Sequence, residues 1–158
     1  MKYVDVKVVF REVPDEVTLA INISGCPVGC PGCHSAYLKR DIGEELNEES
    51  LEELMRINSG VSCVSFMGGD ADPAYIAQLS RYVKKIVPQM KTCWYSGRGL
   101  EEAREVINTL DYLKVGPYDD RYGPLDSKTT NQRFYRICRG DGEIELEDIT
   151  ARFRKTYF

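Results

Sequence analysis

Val17-Thr18-Leu19-Ala20-Ile21-Asn22-Ile23, followed at once by Cys26-Pro27-Val28-Gly29-Cys30-Pro31-Gly32-Cys33, is the stretch on which the fold turns. The first seven residues form a short apolar run rich in β-branched side chains, the pattern of a buried strand. The strand opens into a loop with cysteines spaced C-x3-C-x2-C. Gly25, Gly29 and Gly32 with Pro27 and Pro31 let the loop curl, which leads us to expect three thiolates converging on one point. Thiolates are soft ligands that suit iron–sulfur clusters or zinc. A [4Fe–4S] cluster ordinarily takes four cysteines, whereas Cys26, Cys30 and Cys33 supply three, so one iron is left open, as a catalytic metal site requires. Two plainer readings stand beside this one. Cys26, Cys30, Cys33 and His34 have the ligand types of a structural zinc site. Cys30-Pro31-Gly32-Cys33 also has the form of a redox pair after a strand, though that leaves Cys26 idle.

Outward from this loop the chain alternates strand and helix signals. Asn47 is placed as an N-cap, with Glu48 and Glu49 in the first turn of a helix carrying Leu51, Leu54, Met55 and Ile57. Val61 to Met67 reads as a second buried strand, closed by Gly68-Gly69-Asp70. Asp72 and Pro73 then form an N-cap and N1 pair for a helix with Ile76, Leu79, Tyr82, Val83 and Ile86 on one face. Thr92 to Ser96 is a third strand, Leu100 to Leu110 a third helix and Asp111 to Val115 a fourth strand. Tyr3 to Phe10 and Gln132 to Cys138 are further strand candidates.

This alternation predicts an α/β fold with a mostly parallel sheet and helical crossovers. A complete (βα)8 barrel typically needs about 250 residues, so 158 residues supply a partial (βα) barrel as one domain over 1–158. The open side of such a barrel admits a large substrate.

Composition narrows the function classes. A net charge of −4 and a pI near 5.2 argue against a general nucleic-acid binder. Cys63, Cys93 and Cys138 lie in apolar strand-like runs and read as small core residues. Met1-Lys2-Tyr3-Val4-Asp5 has no leader pattern, and no apolar run approaches the ~18 residues of a membrane span. The expectation is a cytoplasmic protein in a reducing compartment, with no membrane association.

The paired glycines of Gly68-Gly69-Asp70 stand at a strand end, where ligands approach the backbone in parallel α/β folds. A tight strand-to-helix turn explains the same residues. Ser96, at the next strand end, offers a hydroxyl to a ribose, with Gly97 beside it making room. A plain turn is equally in keeping there.

The C-x3-C-x2-C loop resembles the signature of the radical S-adenosylmethionine (radical SAM) enzymes. In that family the open iron is chelated by the methionine part of SAM, and a reduced cluster cleaves the sulfonium to give a hydrogen-abstracting 5′-deoxyadenosyl radical. The resemblance implies that Cys26, Cys30 and Cys33 hold a [4Fe–4S] cluster and carry the catalysis. Gly68-Gly69-Asp70 is similar to the family's Gly-Gly-Glu motif for the SAM ammonium, with an acid one methylene shorter. Gly32 stands where many members carry an aromatic residue, which leaves its backbone to meet the adenine. His34, the only histidine, stands beside the proposed ligand Cys33, which points to a hydrogen bond to a cluster sulfide or to bound SAM; a solvent-facing residue starting the next helix is the other reading.

Two further matches narrow the family. Cys30-Pro31-Gly32-Cys33-His34 resembles the C-x-G-C-H loop of activating enzymes for glycyl-radical proteins. Asp111 to Pro117 and Asn131-Gln132-Arg133 resemble the D-x-L-x-x-G-P and N-Q-R blocks of activating proteins of anaerobic (class III) ribonucleotide reductase. The implied partners are the anaerobic ribonucleoside-triphosphate reductase and an electron donor such as flavodoxin or ferredoxin. The likeness runs from about Val17 to Arg133. It departs at Phe10 to Glu16, where the family has V-D-G-P-G, and at Val115, where it often has aspartate. Another glycyl-radical protein or a small molecule such as a deazapurine precursor is the alternative substrate, and a zinc-stabilised interaction module the non-enzyme alternative. The acidic helix around Glu48 to Glu53 and the basic, aromatic tail Arg152 to Phe158 are either docking surfaces or solvated surface and edge cap.

Overall fold

A computed structural model describes residues 1–154 of the chain. In chain order the elements are β1 (Lys2–Val9), β2 (Thr18–Ile23), β3 (Glu44–Glu45), α1 (Glu48–Ile57), β4 (Cys63–Met67), α2 (Pro73–Ile86), β5 (Lys91–Tyr95), α3 (Leu100–Ile107), β6 (Tyr112–Val115), β7 (Arg133–Gly140) and β8 (Glu143–Asp148). Short 3-10 turns cover Ala36–Lys39 and Thr150–Phe153. The strands form one eight-stranded sheet in the order β3-β1-β2-β4-β5-β6-β7-β8.

The helix starts follow from their caps. The Asn47 side chain accepts from Ser50 N at 2.9 Å, and the Ser50 hydroxyl accepts from Asn47 N at 2.9 Å, a reciprocal capping box. Asp72 accepts from Tyr75 N at 3.0 Å, with Pro73 in the first turn. The helical crossovers make β2, β4, β5 and β6 parallel. The remaining four pairings are antiparallel. The expectation of a mostly parallel sheet is thereby corrected: the sheet is mixed, with a parallel centre and antiparallel flanks. Parallel pairing needs a long crossover, and the flanking strands lack helical ones. The β7–β8 connection is the two-residue turn Asp141-Gly142, with φ of 48° and 83°, as a type I′ hairpin demands.

All three helices cover one face of the sheet. Leu19, Ile21, Ile23, Val64, Phe66, Trp94, Leu113 and Val115 point that way and pack with Leu51, Ile76, Leu79, Val83 and Val106. The alternate residues of the same strands face the helix-free side. There Cys63, Cys93, Tyr112 and Phe134 join Val13 and Ile149 in a second, smaller cluster. Cys63 and Cys93 are fully buried, but Cys138 is only half-buried, because β7 lies beside edge strand β8 and Cys138 faces Glu145 across it. Among the described residues no helix is long and apolar enough to cross a membrane.

Candidate functional site

Four parallel strands present their carboxyl ends along one edge. β2 runs into the cysteine loop, β4 into Gly68-Gly69-Asp70, β5 into Ser96-Gly97 and β6 into Gly116-Pro117. Cys26, Cys30, Cys33, Gly68, Gly69, Asp70 and Ser96, read separately from the sequence, therefore belong to neighbouring strand ends.

The cysteine loop is held by its backbone. Gly25 N donates to Arg40 O at 3.1 Å and Cys26 N to Leu38 O at 2.9 Å, tying the loop's start to the turn that follows it. Cys33 N donates to Cys30 O at 3.2 Å, and Gly25, Gly29 and Gly32 have φ of 73°, 66° and 73°. The three thiols are half-buried and unpaired. Among the described residues no three His, Cys, Asp or Glu side chains are grouped as they would be around one metal ion. A [4Fe–4S] cluster takes each thiolate on a separate iron, so it does not ask the three sulfurs to meet at one ion.

The glycine pair is demanded by packing. Gly68 and Gly69 have φ of 106° and 88°. A Cβ on Gly69 would lie 2.6 Å from Ile76 Cδ1, where α2 crosses the end of β4. Gly68 O accepts from Trp94 Nε1 at 2.8 Å, and Gly68 N donates to Tyr95 O at 3.1 Å. The turn geometry thus accounts for both glycines without reference to a ligand.

Asp70 is 3% exposed, and its carboxylate braces the adjacent strand end. It accepts from Ser96 Oγ at 2.5 Å and from Gly97 N at 3.1 Å. Ser96 Oγ in turn accepts from Arg98 N at 3.0 Å. The Ser96 hydroxyl hydrogen is therefore directed at Asp70. Gly97 meets the cysteine loop itself, since a Cβ there would stand 3.0–3.2 Å from the Val28 side chain.

The loop after β6 covers the cysteine loop from outside. His34 is exposed and its ring lies 5.6 Å from that of Tyr118, which places it on this cover. A Cβ on Gly32 would collide with the Asp120 carboxylate, so Asp120 fills the space beside Gly32. Asn131 Nδ2 donates to Pro117 O at 3.0 Å, and Arg133 donates to Thr130 O and Gln132 O, each at 2.8 Å. The Asn131-Gln132-Arg133 block thus sits beside the β6 end. Asp111 does not: it lies at the opposite end of β6, bonded to Lys84 and to Thr92 N. There it joins α2 to the sheet.

Sequence reading missed Lys114. It stands on β6 with 8% exposure, and Nζ donates to Gly116 O at 2.7 Å and Ser96 O at 3.3 Å. Burial lowers the ammonium to about 8, against the opposing pull of Cys30, Asp70, Cys33 and Cys26. The available signal was its place between the apolar Leu113 and Val115 in a buried strand.

On the helix-free face a cavity of about 640 Å³ is lined by Phe10, Arg11, Tyr95, Leu125 and Phe153 among others. Tyr95 immediately precedes Ser96, so the cavity reaches the strand-end edge. The C-terminal segment borders it: Arg152 pairs with Asp15 at 2.5 and 2.9 Å, and the Phe153 ring lies 4.8 Å from Phe134. These contacts make residues 152–153 a cap on the sheet; Lys155 to Phe158 lie outside the described residues. On the acidic helix, Glu48, Glu52 and Glu53 bond to Gln78, Tyr82 and Arg56.

A family model for a 4Fe-4S single cluster domain matches residues 16–137. The match takes in β2, the cysteine loop and all of the parallel centre, and the chain belongs to this family. Comparison with curated proteins and with solved structures gave no significant match.

Proposed function

We propose that the chain is a radical SAM activase that cleaves S-adenosylmethionine reductively and generates a glycyl radical on anaerobic ribonucleotide reductase. The observation that carries this reading is a three-cysteine loop, in a single-cluster iron–sulfur family, set at the carboxyl edge of a parallel sheet. Three thiolates from Cys26, Cys30 and Cys33 hold the cluster and leave one iron for a substrate ligand. What the cluster supplies when bound is one low-potential electron, enough to break the SAM sulfonium and release a hydrogen-abstracting 5′-deoxyadenosyl radical.

The residues of this chain do the positioning. The Gly68 and Gly69 backbone offers the edge beside the cluster loop to the SAM amino group. Asp70 acts mainly as the brace that keeps the β4 and β5 ends in register, and a contact from its side chain to SAM is secondary. Gly32 and His34, under the loop after β6, border the adenine side. Ser96 reaches the ribose once its hydroxyl turns from Asp70. We read the helix-free face as the inside of a partial barrel in one domain, and the cavity beside Tyr95 as the entry for the reductase glycine loop. An external donor such as flavodoxin or ferredoxin supplies the electron, and the reaction takes place in the cytoplasm without nucleic acid or membrane.

The test is anaerobic reconstitution followed by assay. Protein with four irons should release methionine and 5′-deoxyadenosine from SAM under a strong reductant. With the cognate reductase it should give a carbon-centred doublet on that partner. Cleavage without a partner radical would move the substrate to another glycyl-radical protein or a small molecule. Stoichiometric zinc with no iron uptake would overturn the reading.

A further inference from the structure

Lys114 is buried and charged, yet the activity just proposed gives it no task. An ammonium has three donors. Two are used by Gly116 O and Ser96 O, and among the described residues no hydrogen bond takes the third. Ser96 and Gly97 join this amine to the cysteine loop, for Gly97 packs against Val28 midway between Cys26 and Cys30. The nearest acid, Asp70, already accepts from Ser96 and Gly97, and among the described residues Lys114 makes no ion pair.

We propose that Lys114 is a positioning residue whose buried positive charge stabilises the reduced state of the cluster held by Cys26, Cys30 and Cys33. A buried charge costs desolvation energy and is retained where an opposite charge faces it. Here the cysteine loop lies one packed contact away, since Ser96, bonded to the amine, is followed by Gly97, which packs on Val28 between Cys26 and Cys30. The three cysteines act against the lowering that burial imposes on the amine. Adding one electron makes the cluster one charge more negative, so a neighbouring cation favours that step. No proton need move, and the electron comes from the reductant. Because the amine is buried, salt screens this interaction little. The inference rests on the reading that these three cysteines hold the cluster; it does not depend on SAM or on the reductase.

The experiment is a redox titration of reconstituted protein without SAM, comparing wild type with Lys114→Gln, Lys114→Met and Lys114→Arg. Both neutral variants should have a cluster at least tenfold harder to reduce, a midpoint about 59 mV more negative for a one-electron couple. Lys114→Arg, which keeps the charge, should remain close to wild type. Equal potentials in all four proteins would overturn the proposal. So would collapse of both neutral variants, seen by circular dichroism, with Lys114→Arg intact, for that would assign the lysine to its carbonyl bonds alone. A wild-type protein that takes up no cluster would instead refute the function proposed above, and this inference with it.

Discussion

The Asp70 carboxylate accepts a 2.5 Å hydrogen bond from the Ser96 hydroxyl, joining the end of β4 to the end of β5. With Gly97 N on its other oxygen at 3.1 Å, Asp70 fixes the loop that packs against Val28. Removing a charged acceptor of two buried donors leaves both unpaired. Asp70→Ala should cost about 3 kcal/mol of stability and Ser96→Ala less, by the usual scale for bonds to charged groups. In urea unfolding the double variant should cost less than the sum of the two. Additivity would show that the pair does not act as a brace.

Gly69 tests packing. Gly69→Ala combines an unfavourable positive φ with a Cβ 2.6 Å from Ile76 Cδ1, so a loss of about 2–3 kcal/mol is expected. Ile76→Val removes that Cδ1 and should cost about 1 kcal/mol alone. Combined with it, Gly69→Ala should become measurably cheaper in denaturant midpoint. An unchanged cost would place the penalty in the backbone alone.

The six cysteines should divide by location. Alanine at Cys26, Cys30 or Cys33 should abolish iron binding, measured as iron and sulfide per chain. Alanine at the fully buried Cys63 or Cys93 should leave the cluster in place and cost about 1–2 kcal/mol. Cys138→Ser, at a half-buried position, should fall within about 0.5 kcal/mol of wild type.

Alkaline pH should destabilise the fold in a defined window. Burial raises the thiols of Cys63 and Cys93 and the phenols of Tyr95 and Tyr112, the last to about 12. Each raised group favours the fold fully below its unfolded value and loses that contribution as pH climbs toward its folded value. Stability should therefore fall from about pH 9, the ordinary thiol range. Tyr112→Phe should flatten the fall between 10 and about 12. Lys114 works in the opposite sense, since its folded value is lowered from 10.5 to about 8, so the cost of burying its charge eases as pH rises between the two. Melting temperature against pH for wild type and Tyr112→Phe provides the measurement.

The parallel centre was legible because each of its signals is local. Asn47, Asp72 with Pro73, and the apolar runs before Gly68 and Gly116 mark their own element ends. Edge strand β8 escaped notice although Glu143-Ile144-Glu145-Leu146-Glu147 alternates and Asp141-Gly142 is a strong hairpin signal; its acidic composition hid the period. The site was legible as a set of strand ends. What sequence did not convey was direction: Asp70 turning to Ser96, Asp120 filling the space beside Gly32, Lys114 folding inward. These depend on residues far apart in the chain meeting at one edge, which no local pattern encodes.

The order of the strands also carries a timetable. The thiols follow the first strand of the parallel set, but Asp70 and Gly97 follow the second and third, and Lys114 lies on the fourth. A nascent chain that has emerged only through β4 carries every cysteine of the loop and lacks the neighbours that enclose it. The surroundings of the cysteine loop are therefore complete only once β6 has joined the sheet. A chain stalled before β6 would expose bare thiols to oxidation, making cluster content a readout of whether the sheet was completed.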